Sequence, residues 1–257
     1  MLHGVAVIVI VPAYDEAPRI ARVLRAMPPS IDRIVVVDDG SRDDTARIAR
    51  NLDDRRVTVL SHAANRGVGA AITTGYRHAM SHPPEDGRAS HATSARDAFV
   101  VMAGDGQMHP DDLPALVLPI ARGDADYAKG DRFSARNVAR VMPRARLLGG
   151  RVFSWLTSRA IGVSVSDSQC GYTALSRAAC ARLDLDALWP GYGYPNDLLA
   201  QLARRGLRIE DVRVRPIYAD EVSRLKLRHL PTIAGLVGRA WIERRSQIQR
   251  GATQSMP

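Results

Sequence analysis

The stretch VAVIVIVPAYDE, residues 5–16, decides the fold. Seven apolar residues, mostly β-branched, run unbroken from Val5 to Val11, and Pro12 stops them before Asp15 and Glu16. A run that is apolar at every position, rather than at every second one, predicts a strand covered on both faces. Downstream, Ile20, Val23, Leu24 and Met27 recur at helical spacing and Pro28-Pro29 ends them. Ile34 to Val37 repeats the buried-strand pattern and stops at Asp38-Asp39-Gly40-Ser41. A helix opened by Asp44-Thr45 and running to Leu52, a strand at 57–60 and a glycine-led helix from Gly67 to Met80 follow. Strand, helix, strand, helix, strand predicts an α/β fold. Its sheet is mixed but mainly parallel, sandwiched by helices, with ligands at the strands' carboxyl ends.

Residues 82–97 are polar and without period, which predicts a loop before a strand at 99–102. That strand runs into VVMAGDGQMHP, residues 100–110. Gly104 and Gly106 permit a tight turn and close approach to a ligand. Asp105 and Gln107 are hard oxygen donors at a strand end, which suits Mg²⁺ or Mn²⁺ bridging to phosphates. A helix over 113–120 is expected to be broken by Pro114 and Pro119. A strand at 127–133, a basic stretch at 136–146 and a helix at 147–161 come next. A loop with a short strand at 167–175 and short helices at 178–183 and 195–205 lead to an alternating edge strand at 209–217. The division expected is a main α/β domain over 1–220 and a basic amphipathic tail over 221–257.

The 257 residues are 46% hydrophobic, enough for one domain with a full core. Cys170 and Cys180 form neither a disulfide framework nor a metal-ligand pattern, which fits a reducing cytoplasm. The start lacks a basic n-region, so no signal peptide is expected, and no apolar stretch reaches bilayer length. A net charge of +9 points to an anionic partner: nucleotide, anionic lipid or nucleic acid. With 5% aromatic residues, a base-stacking surface is poorly supplied, and nucleic acid is not expected. Dinucleotide binding needs G-x-G-x-x-G after the first strand, where PAYDE stands instead, and there is no P-loop.

Taken together, the motifs resemble family-2 glycosyltransferases. The similar branch holds dolichol-phosphate mannose synthase and the bacterial polyprenyl-phosphate sugar transferases. PAYDE, VVVDDGSRDDTARIA, NRGVGAAITTGYRHA, AGDGQ, AKGDRF, SDSQCGYTALSR and GYGYPNDLLAQL occur in family order from about residue 5 to about residue 245. The resemblance implies a glycosyltransferase A-type fold and inverting transfer of a sugar from a nucleoside-diphosphate sugar to an acceptor, a polyprenyl phosphate in this branch. It implies that Pro12, Tyr14, Glu16, Val37 and Asp39 line the nucleotide, with Asp39, and Asp38 beside it, accepting the base N–H. Gly67 and Gly69 would offer helix N-terminal amides to the phosphates. Gly104, Asp105 and Gln107 would flank the diphosphate and the metal, although Ala103 stands where the family has a first aspartate. Arg132 would face the diphosphate, Asp167 the transferred sugar, and Asp197 would be a weak candidate base. Arg224 or Lys226 would fill the role of a lysine in a closing loop.

Each motif has a plainer reading as a strand-end turn or a helix start, and joint occurrence favours the functional one. Two other functions compete: a nucleotide-sugar binder without turnover, suggested by Ala103, and a basic nucleic-acid binder, suggested by charge alone. A lipid acceptor must be met at a bilayer. The expected device is a basic amphipathic helix over 230–245, docked peripherally on an anionic cytoplasmic surface; core packing of that helix, with a membrane protein as partner, is the alternative.

Overall fold

A computed structural model describes residues 1–82, 94–136, 138–217 and 229–254. The strands are β1 (Val7–Ala13), β2 (Arg33–Asp38), β3 (Val57–Ser61), β4 (Ala98–Val101), β5 (Tyr127–Asp131), β6 (Thr173–Ser176) and β7 (Ile209–Arg213). They form one sheet in the order β3-β2-β1-β4-β6-β5-β7. β6 is antiparallel to both of its neighbours, and all other pairings are parallel. β4 and β5 therefore point the same way as β1 and β2. The carboxyl ends of these four strands, and the amino end of β6, open on one edge of the sheet.

The unbroken apolar runs are explained by two cores. Val7, Val9 and Val11 face one cluster, and Ile8 and Ile10 face the other. On the first face lie α1 (Ile20–Arg25), α2 (Thr45–Arg50) and α4 (Leu113–Arg122). On the second lie α3 (Val68–Ser81), α7 (Arg177–Ala181) and α8 (Tyr194–Arg204). α6 (Arg144–Ile161), which follows the short α5 (Val138–Val141), and α9 (Leu230–Gln254) complete this face.

α4 is continuous, contrary to the expected break. Pro114 sits in its first turn, where no intrahelical N–H is required. Pro119 lies near the end, and burial of Leu116, Val117 and Ile120 offsets one lost hydrogen bond. The tail beyond residue 220 carries a helix, but not a detached one. Ile233, Leu236 and Ala240 of α9 are buried, and Arg204 of α8 and Glu243 of α9 form an ion pair. The face that packs thus carries Ile233, Leu236 and Ala240, in line with the core-packing alternative for this helix. Among the described residues, no helix is long and apolar enough to cross a membrane.

Candidate functional site

The β1 and β2 ends are in register, Ala13 opposite Asp38. The Asp39 N–H donates to the Ala13 carbonyl (2.8 Å) and the Gly104 N–H to the Pro12 carbonyl (3.1 Å), so three strand ends converge. A side chain on Gly104 would press on Ala13 and Ile20, which keeps the β4 turn close to β1. Asp15 takes a left-handed φ of 51°, a strained choice for a non-glycine residue. Two bonds hold it there: its N–H donates to Ser41 Oγ (2.9 Å), and its carboxylate accepts from the Arg42 N–H (2.8 Å). The Glu16 N–H donates to Thr45 Oγ1 (2.7 Å) and its carboxylate pairs with Arg19 (3.1 Å). The PAYDE turn and the DDGSRDD turn are therefore one hydrogen-bonded unit. Tyr14 lies half-buried on it, Pro12 is buried beneath it, and Val37 points fully into the core, where its side chain cannot reach a ligand.

Asp39 is buried and already serves this chain. Its Oδ1 takes the Arg66 N–H (2.9 Å) and His62 Nδ1 (2.6 Å), and its Oδ2 takes the Gly67 N–H (2.8 Å). Three of a carboxylate's roughly four acceptor positions are spent. His62, at the end of β3, also meets Thr74 Oγ1 (2.9 Å) through Nε2. Sequence reading missed His62, although a polar residue closing a strand at the ligand edge was a usable signal.

The expected anion site at the start of α3 is filled from within. The Gly67 N–H goes to Asp39, and the Ala70 N–H donates to the Pro190 carbonyl (3.0 Å). A Cβ on Gly69 would stand 2.1 Å from the Trp189 carbonyl oxygen, and one on Gly67 2.5 Å from that of Pro190. These glycines admit the 189–191 loop, not a phosphate.

After β4, Asp105 is partly exposed and its Oδ1 accepts the Gln107 N–H (2.9 Å), with Gly106 at φ 80° making the turn. Among the described residues no group of three or more His, Cys, Asp or Glu could hold a metal. The local donors are one carboxylate and one amide. Such a set suits an ion that takes its other oxygens from a bound diphosphate and water, as Mg²⁺ commonly does.

At the β5 end, Arg132 and Asp167 are brought together. Nε donates to Oδ2 (2.7 Å) and Nη2 to Oδ1 (3.0 Å), a bidentate pair. Asp167 is fully buried, so it does not face a sugar; it fixes the guanidinium. Behind them Lys129 is fully buried in β5 and donates to the Cys170 carbonyl (2.6 Å). Burial pushes its ammonium below the usual lysine range, and pushes the Cys170 thiol above its own. Asp197 is likewise removed from base duty: Oδ2 accepts the Trp189 N–H (2.9 Å) and Oδ1 is held by Arg239 of α9. Arg224 and Lys226 lie outside the described residues.

Comparison with known proteins agrees with this architecture. The family model Glycosyl transferase family 2 matches residues 8–184. The chain is 30% identical to the undecaprenyl-phosphate mannosyltransferase of Micrococcus luteus, over 81% of this chain and 82% of that one. It is 28% identical to the UDP-N-acetylglucosamine–dolichyl-phosphate N-acetylglucosaminyltransferase of Methanococcus voltae, over 82% and 85%. Among solved structures, glucosyl-3-phosphoglycerate synthase from Mycobacterium tuberculosis shares the fold. Its complex with Mn²⁺, UDP-glucose and glycerol 3-phosphate has a TM-score of 0.64 at 22% identity, covering 94% of this chain and 80% of that one.

Proposed function

The chain belongs to glycosyl transferase family 2, and from that membership we propose that it transfers a sugar from a nucleoside-diphosphate sugar to the phosphate of a polyprenyl-phosphate lipid. One observation carries the acceptor class. The two acids expected on the acceptor side, Asp167 and Asp197, are buried and committed to Arg132 and Arg239. A hydroxyl nucleophile needs a base to take its proton. A phosphate monoester, with a second pKa of about 6, arrives already ionised at neutral pH and needs none. The names of the Micrococcus and Methanococcus relatives, both lipid-phosphate glycosyltransferases, support the same reading.

In this reading the nucleoside lies over the joined turns of β1 and β2, against Tyr14, Glu16 and the loop that Asp39 anchors. The diphosphate runs past Gly104 toward Arg132. Asp105 and Gln107 would hold Mg²⁺ or Mn²⁺, which neutralises charge on the departing diphosphate when bound. An acceptor phosphate oxygen bonds to the anomeric carbon as the bond to the diphosphate oxygen breaks on the opposite face. The electron pair leaves with the nucleoside diphosphate, and the anomeric configuration inverts. Arg132, pre-set by Asp167, offers fixed positive charge without reorganisation. Arg224 or Lys226 is proposed to close over the diphosphate. A nucleotide donor and two free, buried cysteines suit the cytoplasmic face of a membrane.

The test is release of nucleoside diphosphate from a panel of UDP-, GDP- and dTDP-sugars with Mn²⁺ and a polyprenyl phosphate. A lipid-linked sugar from one donor is the expected product. Donor binding with no release under any pairing would overturn turnover and favour the binding-only reading, which Ala103 in place of a metal aspartate supports.

A further inference from the structure

α6 is built inside out. Its inward side carries small or polar residues, Ser154, Thr157 and Ala160, with Ile161 at the end. Its outward side carries Leu148, Val152, Trp155 and Leu156, which are 67, 51, 57 and 44% exposed. At 100° per residue these four fall within one stripe along a single face. Soluble proteins scatter single apolar residues on their surface, whereas a contiguous stripe of large ones marks a docking surface.

The surroundings say what docks. Between Asp131 and Asp167 the chain has no acidic residue and seven arginines. Arg144, Arg151 and Arg159 lie on the same outward side of α6 and are exposed. Arg159 stacks over the Trp155 ring, 5.4 Å from its centroid. α9, packed beside α6, adds exposed Trp241 and Ile242, with Arg245 over the Trp241 ring. The apolar anchors of α6, flanked by arginines and without an acid from 132 to 166, complement an anionic bilayer surface, where indoles favour the headgroup zone; the one acid beside Trp241 on α9, Glu243, is paired with Arg204.

We infer that the outward face of α6 is the surface by which this protein lies on an anionic membrane, with Leu148, Val152, Trp155 and Leu156 entering the interface. The inference rests on the lipid-phosphate reading for its purpose, though not for its evidence. The helix is tied directly to the site. Ser154 Oγ accepts from the Ser168 N–H (2.9 Å), next to Asp167, and Gly150 abuts the Phe133 ring beside Arg132. These contacts lie on the face of α6 opposite the stripe, so a membrane held on α6 would lie about one helix diameter, 10–12 Å, from the segments that carry the Arg132–Asp167 pair. This places the membrane contact on α6, where the sequence pattern had suggested the tail.

The intact protein should co-sediment at low salt with vesicles of phosphatidylcholine containing about one-third phosphatidylglycerol, and release as salt rises. Leu148→Glu/Leu156→Glu should lower the bound fraction about tenfold or more at an unchanged melting temperature. Arg144→Glu/Arg151→Glu, which leaves the apolar stripe intact, should do likewise. Turnover on a short, water-soluble prenyl phosphate should survive both changes, while turnover on vesicle-embedded polyprenyl phosphate falls. Equal vesicle binding by wild type and variants would overturn the inference. So would a wild-type dimer that the Glu pair splits and that ignores vesicles, because the stripe would then join two copies. If neither acceptor is used yet the variants lose vesicle binding, docking stands and the proposed acceptor falls.

Discussion

Asp39 illustrates how a motif residue can be right in place and different in duty. Its position at the ligand edge followed from the strand-ending pattern, but its three donors come from residues 62, 66 and 67. No local pattern reveals such pairings, because they depend on how β2, β3 and the α3 entry meet in space. Asp39→Ala would leave buried donors without an acceptor, at about 1–3 kcal/mol each. We expect a loss of about 3 kcal/mol or more in urea unfolding, accompanied by weaker donor binding as the 65–67 loop loosens. A stability change below about 0.5 kcal/mol with donor affinity lost would instead make it a direct base contact. Lys129 offers a second test, with a definite sign. Its native pKa is lowered by burial, so between that value and about 10.4 the unfolded chain binds more protons than the native one. Its contribution to stability therefore rises with pH across that window. Lys129→Met removes the titration, and the stability difference between wild type and variant should shift toward wild type from pH 8 to 10. A flat difference would mean that Lys129 is not held as the geometry indicates.

Among the elements, β1, β2 and β4 were the most legible, because burial on both faces leaves a short continuous apolar run bounded by turn residues. Helices were legible in position but not in duty. The Gly67 and Gly69 pattern reads equally well as an anion cradle or as room for a neighbour, and only the approach of Trp189 and Pro190 decides between them. α9 reads as amphipathic in either role, interfacial or packed. Ala240 of α9, with Val237, joins the same core as α3 and α8, and the structure buries Ile233 and Leu236 as well. Full burial of each such side chain is worth about 1.5–3 kcal/mol. The Asp197–Arg239 and Arg204–Glu243 pairs add cross-links from α8. Against a total stability of about 5–15 kcal/mol, this is a large share. Ending the chain before α9 should therefore give a protein that unfolds at much lower urea or is recovered only as aggregate. A truncated protein that keeps the wild-type midpoint would mean that α9 is an appendage after all.

For the molecule as a whole, the site is an assembly of strand ends in which no complete metal cage is found among the described residues. Asp105 and Gln107 would supply two donors to the proposed ion, and Ala103 would supply none. If the proposed ion takes its remaining oxygens from the ligand, metal and nucleoside diphosphate should bind as coupled partners, each tightening the other by the same factor. Melting temperature reads this directly, since a ligand at about a hundred times its Kd adds about 2.7 kcal/mol to native stability. In a domain of this size that is roughly 5–10 °C. Mn²⁺ alone should shift the melt little, the cognate nucleoside diphosphate alone modestly, and both together by more than the sum. Asp105→Asn should abolish the excess while leaving the metal-free nucleotide shift in place, because the nucleoside contacts lie on the β1 and β2 turns. Ala103→Asp should move part of the shift to Mn²⁺ alone by restoring a second carboxylate to the segment. If Mn²⁺ and nucleotide shifts simply add, or Asp105→Asn keeps the excess, the ion is not held at this turn and charge on the leaving group must be met by arginines such as Arg132.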